Sequence, residues 1–399
     1  MTSAPKALAG LRVLDMTRVF AGPWAAQMLA DFGADVVKVE HPRGGDDVRR
    51  MGFPQKRADG TETGQTSSFL AMNRNKRSIA LDMADQDDLA MLQALAQRAD
   101  ILIENFKTGT LRKFGLDYQT VSAGNVAIIY CSITGYGQDG PYASRPGYDP
   151  IFQAESGLMS VTGQPDGTPG AGPALVGYSV SDINAGFYAA ISIMVALRAR
   201  DQVTGRGQHI DIALLDTQLA AQSHIAQNYL VSGKMPARAG TASQINMPWQ
   251  AFPAADAAIM IAVGNDRQFA ALCAALGTPE TAADQRFVTN RDRMAHKAEL
   301  IPILERAFAL RSAADWVECL NAAGIPCGRL NDFGSALSDA QIVHREMVRE
   351  MPDPEVGAFR FIANPVRLSE TPVRYDRLPP SLGEHTGNVL ADWLGSPEK

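Results

Sequence analysis

The sequence predicts an α/β fold, with a Rossmann-like large domain built on a parallel sheet and a second, smaller α/β domain. Short apolar runs alternate with helix-like stretches through the first part of the chain, and this alternation is typical of a parallel sheet covered by helices. The chain has 399 residues, which is more than one ordinary domain holds and enough for two substantial cores. We therefore expect two domains.

A β-α-β unit opens the chain. Residues 12–16 have the pattern of a buried strand, residues 23–32 that of a helix which Gly33 ends, and residues 35–40 that of a second strand. Further elements continue the alternation: a strand at residues 78–81, a helix at 86–98, and strands at 101–103 and 126–130. Together they predict a Rossmann-like sheet.

The turn after the first strand lacks a dinucleotide signature. A pyrophosphate-binding turn needs three glycines in a GxGxxG pattern, whereas residues 17–23 contain only Gly22. Glu40 stands where an acid could hold a ribose, but the missing glycines disfavour an NAD-linked function.

We place the end of the large domain's N-terminal part at residue 215. A helix at residues 183–200 and an alternating strand at 207–214 complete the first part. The connection that follows begins with a helix and becomes rich in Gly, Pro, Ser, Thr and Ala from residue 232, which is typical of a linker or mobile loop. The predicted boundaries are residues 1–215 for the large domain, 216–248 for the linker, 249–328 for the small α/β domain and 329–399 for a final segment.

The composition argues against several classes of protein. The formal net charge is −6, with acidic and basic residues mixed along the chain, so no nucleic-acid partner is indicated. Four widely spaced cysteines favour reduced thiols in a cytosolic protein over a disulfide framework or a zinc site. Residues 1–10 lack the apolar core of a signal peptide, and the apolar run at 187–197 is too short to span a bilayer. We expect a soluble, cytoplasmic protein with no membrane partner.

Conventional catalytic signatures are scarce. The six histidines form no HxxxH or HExxH pattern, so no metal site is indicated. The sequence has no GxSxG motif, and no cysteine stands in an evident activating setting. Carboxylates remain as candidate nucleophiles.

Asp182 is the most prominent of these carboxylates. It follows residues 163–177, which contain five glycines and three prolines, and it precedes the apolar run at 187–197. A glycine-rich stretch of this kind suits a loop that passes close to a ligand. An acid at the start of a helix is nevertheless more often a cap, with Ser181 or Asp182 accepting N–H bonds from the first turn. From the residues alone, capping and catalysis both stay open.

Two basic clusters are candidate phosphate binders. The first is residues 73–78, and the second comprises Lys107, Arg112 and Lys113. Ligands of an open parallel sheet collect outside the carboxyl ends of its strands, and this favours Lys107 and Lys113 over the first cluster, which precedes its strand. The alternative is that these residues are solvated surface charges.

Nine short segments together resemble the family III coenzyme A transferases, the group that includes formyl-CoA:oxalate and carnitine CoA-transferases. The resemblance covers nearly the whole chain, and although each segment is weak evidence, their ordered set is specific. The segments are LRVLD at 11–15, AGP at 21–23, FGADVVKVE at 32–40, NKRS at 75–78, ENF at 104–106, GYD at 147–149, SD at 181–182, TGRGQ at 204–208 and GEHT at 383–386.

The resemblance implies a CoA-transferase in which Asp182 is the nucleophile and forms a mixed anhydride and then an aspartyl-CoA thioester. A CoA thioester is a substrate, and no cofactor is permanently bound. The resemblance also implies an interlocked homodimer whose large domain is built from both chain ends, so that residues 329–399 return to it. The implied CoA-binding residues are Val19 and Phe20 at the pantetheine, His41 at the adenosine, and Leu81, Ala84, Asn105, Phe106, Lys107, Lys113, Tyr148 and Asp149.

Two departures from the family pattern limit the class of substrate that we expect. Phe20 stands where the formyl-CoA transferases carry Gln, and their tetraglycine segment is missing, which disfavours a formyl or oxalate substrate. Residues 223–230, 240–242 and 248–252 are more similar to the succinyl-CoA:glutarate type. We therefore expect succinyl-CoA as donor and a small dicarboxylic acid as acceptor.

Two alternatives stay open. The α-methylacyl-CoA racemases share the pattern but need a proton relay, and they carry His where this chain has Tyr148; tyrosine, with an ordinary pKa near 10, is a poor base at neutral pH. A non-catalytic CoA-binding paralogue would not need Asp182, which this chain retains.

A dicarboxylate acceptor needs a second binding group. One carboxylate attacks the thioester, and the other must be held by a cation or by hydroxyl and amide donors. Residues 232–249 offer Lys234, Arg238 and several polar side chains, whereas the stretch around Asp182 carries almost no positive charge. We predict that Arg238 holds the distal carboxylate, either within one chain or across a dimer.

Overall fold

In the computed structural model, which describes residues 4–395, the chain forms two compact units. The first holds the chain up to Leu158, residues Leu175–Gly233 and the chain from Gln341 onward. The second holds Met159–Ala174 and Lys234–Ala340. Each unit has its own buried apolar core.

A six-stranded parallel sheet forms the centre of the first unit, as the predicted α/β class requires. Its strands are β1 (Arg12–Asp15), β2 (Asp35–Glu40), β3 (Arg77–Ala80), β4 (Ile101–Glu104), β5 (Ile129–Thr134) and β6 (Gln208–Ala213). In space they lie in the order β6-β5-β4-β1-β2-β3, and every neighbouring pair is parallel. From β1 the chain continues through β2 to β3 at one edge of the sheet, and from β4 it continues through β5 to β6 at the other edge. The β1–β4 boundary is therefore the topological switch point, beside which ligands of such sheets bind.

Helices cover both faces of this sheet. On one face α1 (Ala21–Asp31) and α5 (Val180–Ala199) share a core with Val13, Ile103 and Ile129. The other face is covered by α2 (Gln86–Arg98), α3 (Tyr118–Gly124) and α7 (Thr386–Leu394), while α4 (Asp149–Glu155) and α6 (Leu214–Ala221) pack with α5. Because both faces are buried, most strand residues are apolar on both sides, and the exceptions include Asp15, Lys38 and Glu40.

The helical stretch Val180–Thr204, which is α5 with a π-helical last turn, is long and apolar enough to cross a membrane by length and composition alone. Its small residues face α1. A Cβ added to Gly186 would lie 2.8 Å from the carbonyl oxygen of Ala21, so glycine is needed for this close approach. Packing of α5 on α1 thus accounts for the small, apolar residues of that face.

Asn75 joins the C-terminal part of the chain to the N-terminal part of the first unit. Its backbone N–H donates to the carbonyl of Arg377 at 3.0 Å, and its side chain donates to the carbonyl of Arg374 at 2.8 Å. Its side-chain oxygen accepts the N–H groups of Asp376 and Arg377. Asn75 has a φ of 65°, a left-handed conformation that asparagine tolerates.

The second unit contains a three-stranded antiparallel sheet, with strands Trp249–Pro253, Ala258–Ala262 and Cys327–Arg329. In its core Phe252 stacks on Phe308, and Trp316 meets Phe308 edge to face. A short pairing of Gly163–Gln164 with Gly172–Pro173 also belongs to this unit. Its helices are Asp266–Ala275, Pro279–Ala283, Asn290–Ala295, Lys297–Phe308, Ala313–Ala322 and Phe333–Leu337.

Smaller elements complete the described chain. They are the strand pairs Pro54–Lys56 with Glu62–Thr66 and Val348–Asp353 with Gly357–Ile362, the 3-10 helices Asp47–Arg50 and Leu111–Phe114, and the helices Ser67–Met72, Leu158–Val161, Ser223–Ser232 and Ala340–His344.

The structure differs from the predicted elements and boundaries in four places. Residues 329–340, expected in the final segment, belong to the second unit. The strand expected at 126–130 is Ile129–Thr134, because residues before it form a turn. The stretch predicted as linker from residue 216 is helical up to Ser232 and belongs to the first unit, because α6 packs on α5 and buries Thr217 and Gln218. Met159–Ala174, expected within the large domain, groups with the second unit, where the N–H of Gly240 donates to the carbonyl of Gly163 at 2.9 Å.

Candidate active site

One cavity of 290 Å³ lies at the carboxyl edge of the parallel sheet in the first unit. The segments that line it follow β1, β4 and β5, and the start of α5 contributes Asp182. It therefore lies beside the switch point between β1 and β4, where a ligand of an open α/β sheet is expected. Its lining segments are residues 18–21, 105–108, 133–135 and 143–148, with Asp47, Asp182 and Leu214.

Asp149 caps the helix that carries Asp182. Its Oδ1 accepts the backbone N–H of Ser181 at 2.7 Å and that of Asp182 at 3.4 Å. Gln153, one turn later on α4, donates to Asp149 Oδ2 at 2.6 Å and accepts the N–H of Val176 at 2.9 Å. The expectation that Ser181 or Asp182 caps its own helix is wrong, because the cap comes from α4.

This arrangement leaves the Asp182 carboxylate available to a ligand. Its side chain is partly buried and forms no hydrogen bond or ion pair with any other described residue. Burial raises the pKa of Asp182 to about 7, and the negative charge of Asp149 contributes to the same rise. Near neutral pH a large fraction of the carboxylate is ionised, and it is more basic than an ordinary aspartate.

Several residues that the family resemblance singled out line the same cavity as Asp182. On one side Val19 and Phe20 follow β1, and on the other Asn105, Phe106 and Lys107 follow β4. The cavity is completed by residues 145–148, of which Tyr148 is 73% exposed.

The other residues of that set lie elsewhere. A second cavity of 200 Å³ is lined by His41, Leu81 and Ala84, together with Phe106, which lines both cavities. Lys113 lines neither; its ammonium nitrogen lies 4.7 Å from the ring centroid of Phe114.

Asp149 does not line either cavity. It is 6% exposed, and both of its oxygens are occupied by Ser181, Asp182 and Gln153. Its contacts give it the role of a helix cap and a source of negative charge. Sequence reasoning could not assign this role, because Asp149 and Ser181 are 32 residues apart in the chain.

The first basic cluster, residues 73–78, is structural. Arg74 pairs with Asp31 in two hydrogen bonds, and Lys76 pairs with Asp15 at 2.9 Å. These ion pairs are buried, which explains why such a charged stretch precedes a central strand. Glu40 is also bound within the protein, since the guanidinium of Arg49 donates to both of its carboxylate oxygens at 2.7 Å.

Sequence reasoning missed Arg145, which lines the cavity with Asp182. Its guanidinium lies 3.6 Å from the ring centroid of Tyr142 and forms no ion pair with a described residue. The sequence did offer one signal that Arg145 lies near the site, because the GYD segment of the family resemblance begins two residues after it.

Arg238, predicted as an acceptor contact, lies in the second unit. Its guanidinium forms an ion pair with Asp166 and donates to the carbonyl oxygen of Gln164 at 3.1 Å. Among the described residues there is no group of three or more His, Cys, Asp or Glu side chains that could hold a metal ion.

These features define the class of protein: an α/β enzyme fold whose cavity, at the carboxyl edge of a parallel sheet, holds a carboxylate available as a nucleophile. The sequence matches CoA-transferase family III over residues 8–386. The chain therefore belongs to this family of CoA-transferases.

The relatives of this chain carry matching descriptions. It is 42% identical to the succinate–glutarate CoA-transferase of Agrobacterium fabrum, over 96% of this chain and 95% of that protein. It is 40% identical to the succinyl-CoA:glutarate CoA-transferase of Mus musculus, over 98% of this chain and 87% of that protein. A crystal structure of a CAIB/BAIF family protein from Brucella suis superimposes with a TM-score of 0.86 at 40% identity, covering 97% of this chain and 99% of that one.

Proposed function

We propose that this enzyme transfers CoA from succinyl-CoA to a small dicarboxylic acid, with glutarate as the first candidate. The observation that carries the proposal is Asp182, an unpaired carboxylate with a raised pKa in a cavity lined by the candidate CoA-binding residues. The names of the relatives at 40–42% identity supply the substrate class.

The reaction proceeds through covalent intermediates on Asp182. A carboxylate oxygen attacks the thioester carbon of the donor, the carbon–sulfur bond breaks, and CoA thiolate leaves an acyl-aspartyl anhydride. The thiolate then attacks the aspartyl carbonyl, which gives an aspartyl-CoA thioester and releases the donor acid as a carboxylate. The acceptor carboxylate repeats both steps in reverse and regenerates Asp182. Protons balance without an acid–base group, since every attacking and leaving group is an anion.

The environment of Asp182 favours the first step. A more basic carboxylate is a better nucleophile toward a thioester, and partial burial limits the water that could hydrolyse the anhydride. The racemase alternative needs two proton-transfer groups at the acyl α-carbon, and the exposed Tyr148 supplies no buried base.

The acceptor contact is proposed to be Arg238, which holds the distal carboxylate. In the free protein its partner is the exposed Asp166. Exposed ion pairs contribute little free energy, so a ligand carboxylate can replace Asp166 at small cost. Lys107 and Lys113 are proposed to bind the phosphates of CoA, and His41 its adenosine.

The proposal includes an interlocked homodimer in the cytoplasm. The apolar residues Phe187, Ile191 and Val195 lie one turn apart on α5 and are 43%, 61% and 63% exposed. A stripe of this kind is typical of a surface that a second copy covers. The free cysteines agree with a reducing compartment.

An acceptor screen tests the function. Purified protein is mixed with succinyl-CoA and either glutarate or pentanoate, an acid of the same length with one carboxylate, and new CoA esters are read by mass spectrometry. We expect glutaryl-CoA with the wild type and none with Asp182→Asn. Exchange of the α-proton of a 2-methylacyl-CoA in D2O, without CoA transfer, would favour the racemase instead.

A further inference from the structure

Val19 adopts a strained backbone conformation. Three described residues other than glycine have a positive φ: Val19 at 69°, Asn75 at 65° and Glu346 at 51°. Only Val19 of these is β-branched, and a β-branched side chain seldom adopts the left-handed region because it clashes with the backbone. Val19 lines the cavity that contains Asp182. Strain of this kind persists only where the surroundings impose it, and it concentrates at functional sites.

A buried ion pair holds the backbone on both sides of Arg18. Asp46 Oδ1 accepts the N–H of Val19 at 3.1 Å, and its Oδ2 lies 2.7 Å from the ammonium nitrogen of Lys38. Lys38 also donates to the carbonyl oxygen of Thr17 at 2.8 Å. The pair therefore fixes the two peptide groups on either side of Arg18, and the second of these groups carries the N–H of Val19, the residue with the positive φ.

A third side chain fixes the residue between these contacts. Asn105, which follows β4, accepts the N–H of Arg18 at 2.9 Å and donates to its carbonyl oxygen at 2.7 Å. The segment from Thr17 to Val19 thus has its polar backbone groups bound by side chains rather than by a helix or a strand. Its conformation is set by elements that lie far away in the sequence.

Stability alone is a poor explanation for the Lys38–Asp46 pair. Neither side chain has exposed surface, and replacing a buried ion pair by apolar residues of similar volume is often neutral or stabilising. Burial by itself lowers the pKa of Lys38, but the charges of Asp46, Asp15 and Glu40 outweigh it and raise the pKa above the ordinary value. Lys38 therefore stays charged. The role left for the pair is to specify one conformation.

We propose that Asp46, backed by Lys38, is a positioning residue that holds Val19 in the left-handed conformation before the acyl-CoA binds. The assignment rests on the proposed function, because Val19 contributes to a CoA site only if this cavity binds acyl-CoA. A segment that is already fixed loses little conformational freedom when the ligand arrives. If Val19 relaxed to an ordinary conformation, its side chain would turn and the cavity wall beside Asp182 would change.

A double-mutant cycle between Asp46 and Val19 tests the assignment. Glycine adopts a positive φ without strain, so the variant Val19→Gly no longer needs the hold that Asp46 supplies. Asp46→Ala removes the oxygen that accepts the N–H of Val19. We expect Asp46→Ala to raise KM for succinyl-CoA about tenfold in the wild-type background but less than about threefold in the Val19→Gly background, with kcat changed less in both. If the Asp46 substitution raises KM by the same factor in the wild-type and the Val19→Gly backgrounds, the proposal is wrong.

Asp46→Ala leaves Lys38 without its partner and can impair folding. The paired variant Lys38→Met/Asp46→Ala removes both charges together, and the same cycle with Val19→Gly is run in that background. Asp31→Ala is the matched control, because Asp31 is an equally buried carboxylate that binds Arg74 and not the 17–19 segment. We expect this control to lower the melting temperature and leave KM unchanged.

Amide hydrogen exchange separates this proposal from the proposed function. Peptides covering residues 17–20 are followed in the absence of any substrate. Exchange at Val19 is expected to accelerate at least about tenfold in Asp46→Ala and to stay unchanged in Asp31→Ala. Unchanged exchange in Asp46→Ala overturns the positioning role even if the enzyme transfers CoA. If the wild type transfers no CoA and exchange at Val19 is accelerated in Asp46→Ala, the proposed function is wrong and the positioning role of Asp46 stands.

Discussion

Replacing Asp149 by asparagine tests whether the charge beside Asp182 sets the pH dependence of transfer. An asparagine oxygen can accept the same N–H groups of Ser181 and Asp182, so the cap on α5 is kept while one negative charge is removed. In the proposed mechanism transfer requires ionised Asp182, so activity is expected to rise with pH through the pKa of this residue. Removing the neighbouring charge lowers that pKa, so the rising limb of log kcat/KM should move to lower pH.

The size of this displacement follows from the causes of the raised pKa. Burial is the larger cause and Asp149 the second, and together they raise the pKa of Asp182 from 3.8 to about 7. Asp149 therefore accounts for at most half of a rise of about three, and we expect a displacement of about one pH unit, or ~1.4 kcal/mol. At pH 6 the ionised fraction then grows from about a tenth to about a half, so kcat/KM rises about fivefold.

The assay is the pH profile of kcat/KM for succinyl-CoA with glutarate between pH 5 and 9, together with the melting temperature. Gln153 donates to Asp149 Oδ2 at 2.6 Å and would face an amide N–H in the variant, so we expect a loss of stability of about 1–2 kcal/mol. Glu155→Gln is the control, because Glu155 is an exposed acid on the same helix that binds Tyr136. A folded Asp149→Asn variant whose acid limb coincides with that of wild type refutes the reasoning.

Four further substitutions have defined outcomes. Asp182→Asn abolishes transfer in the turnover assay. The pKa of Asp182 is higher in the folded than in the unfolded protein, so ionisation of Asp182 lowers the free energy of unfolding of the wild type as the pH rises toward 7. Thermal unfolding should therefore show that Asp182→Asn stabilises the protein relative to wild type more at pH 8 than at pH 5, by on the order of 2 kcal/mol. Lys113→Ala raises KM for succinyl-CoA several-fold and leaves kcat nearly unchanged in steady-state kinetics, whereas a large loss of kcat contradicts a role in binding. Asn75→Ala lowers the free energy of unfolding in urea by about 2–4 kcal/mol through its lost hydrogen bonds, with KM unchanged. Arg238→Ala lowers transfer to glutarate at least about tenfold relative to pentanoate, and equal losses for both acceptors exclude its proposed contact.

The fold class was predictable because it depends on local patterns. Strands β1 to β4 begin and end within about a residue of the predicted runs, since they are short apolar stretches between charged or glycine-containing turns. The grouping of Met159–Ala174 with the second unit was not predictable, because it depends on backbone contacts such as that between Gly163 and Gly240, more than seventy residues apart.

Strand direction distinguished the two basic clusters. Lys107 follows the carboxyl end of β4 and lines the cavity, whereas Lys76 precedes β3 and is buried against Asp15. The rule that ligands of a parallel sheet collect at the carboxyl ends of its strands was sufficient to place Lys107 at the cavity, but it also favoured Lys113, which lines neither cavity. It gives no indication of Asp46 or Lys38, because their importance depends on the conformation of Val19, which no residue pattern reports.

The capping question about Asp182 shows why a residue's role at a helix start cannot be read from its position alone. An aspartate that caps its own helix accepts backbone N–H bonds, and these stabilise the ionised form and lower its pKa. Such a carboxylate would be a weaker nucleophile and would have to break those bonds to react. Here α4 supplies the cap through Asp149, so the N–H groups are satisfied while Asp182 stays unbound, and the capping charge raises the pKa of Asp182 instead of lowering it. The same helix start therefore provides both the anchoring and the basicity that a carboxylate nucleophile needs, and it does so only because two carboxylates share the task.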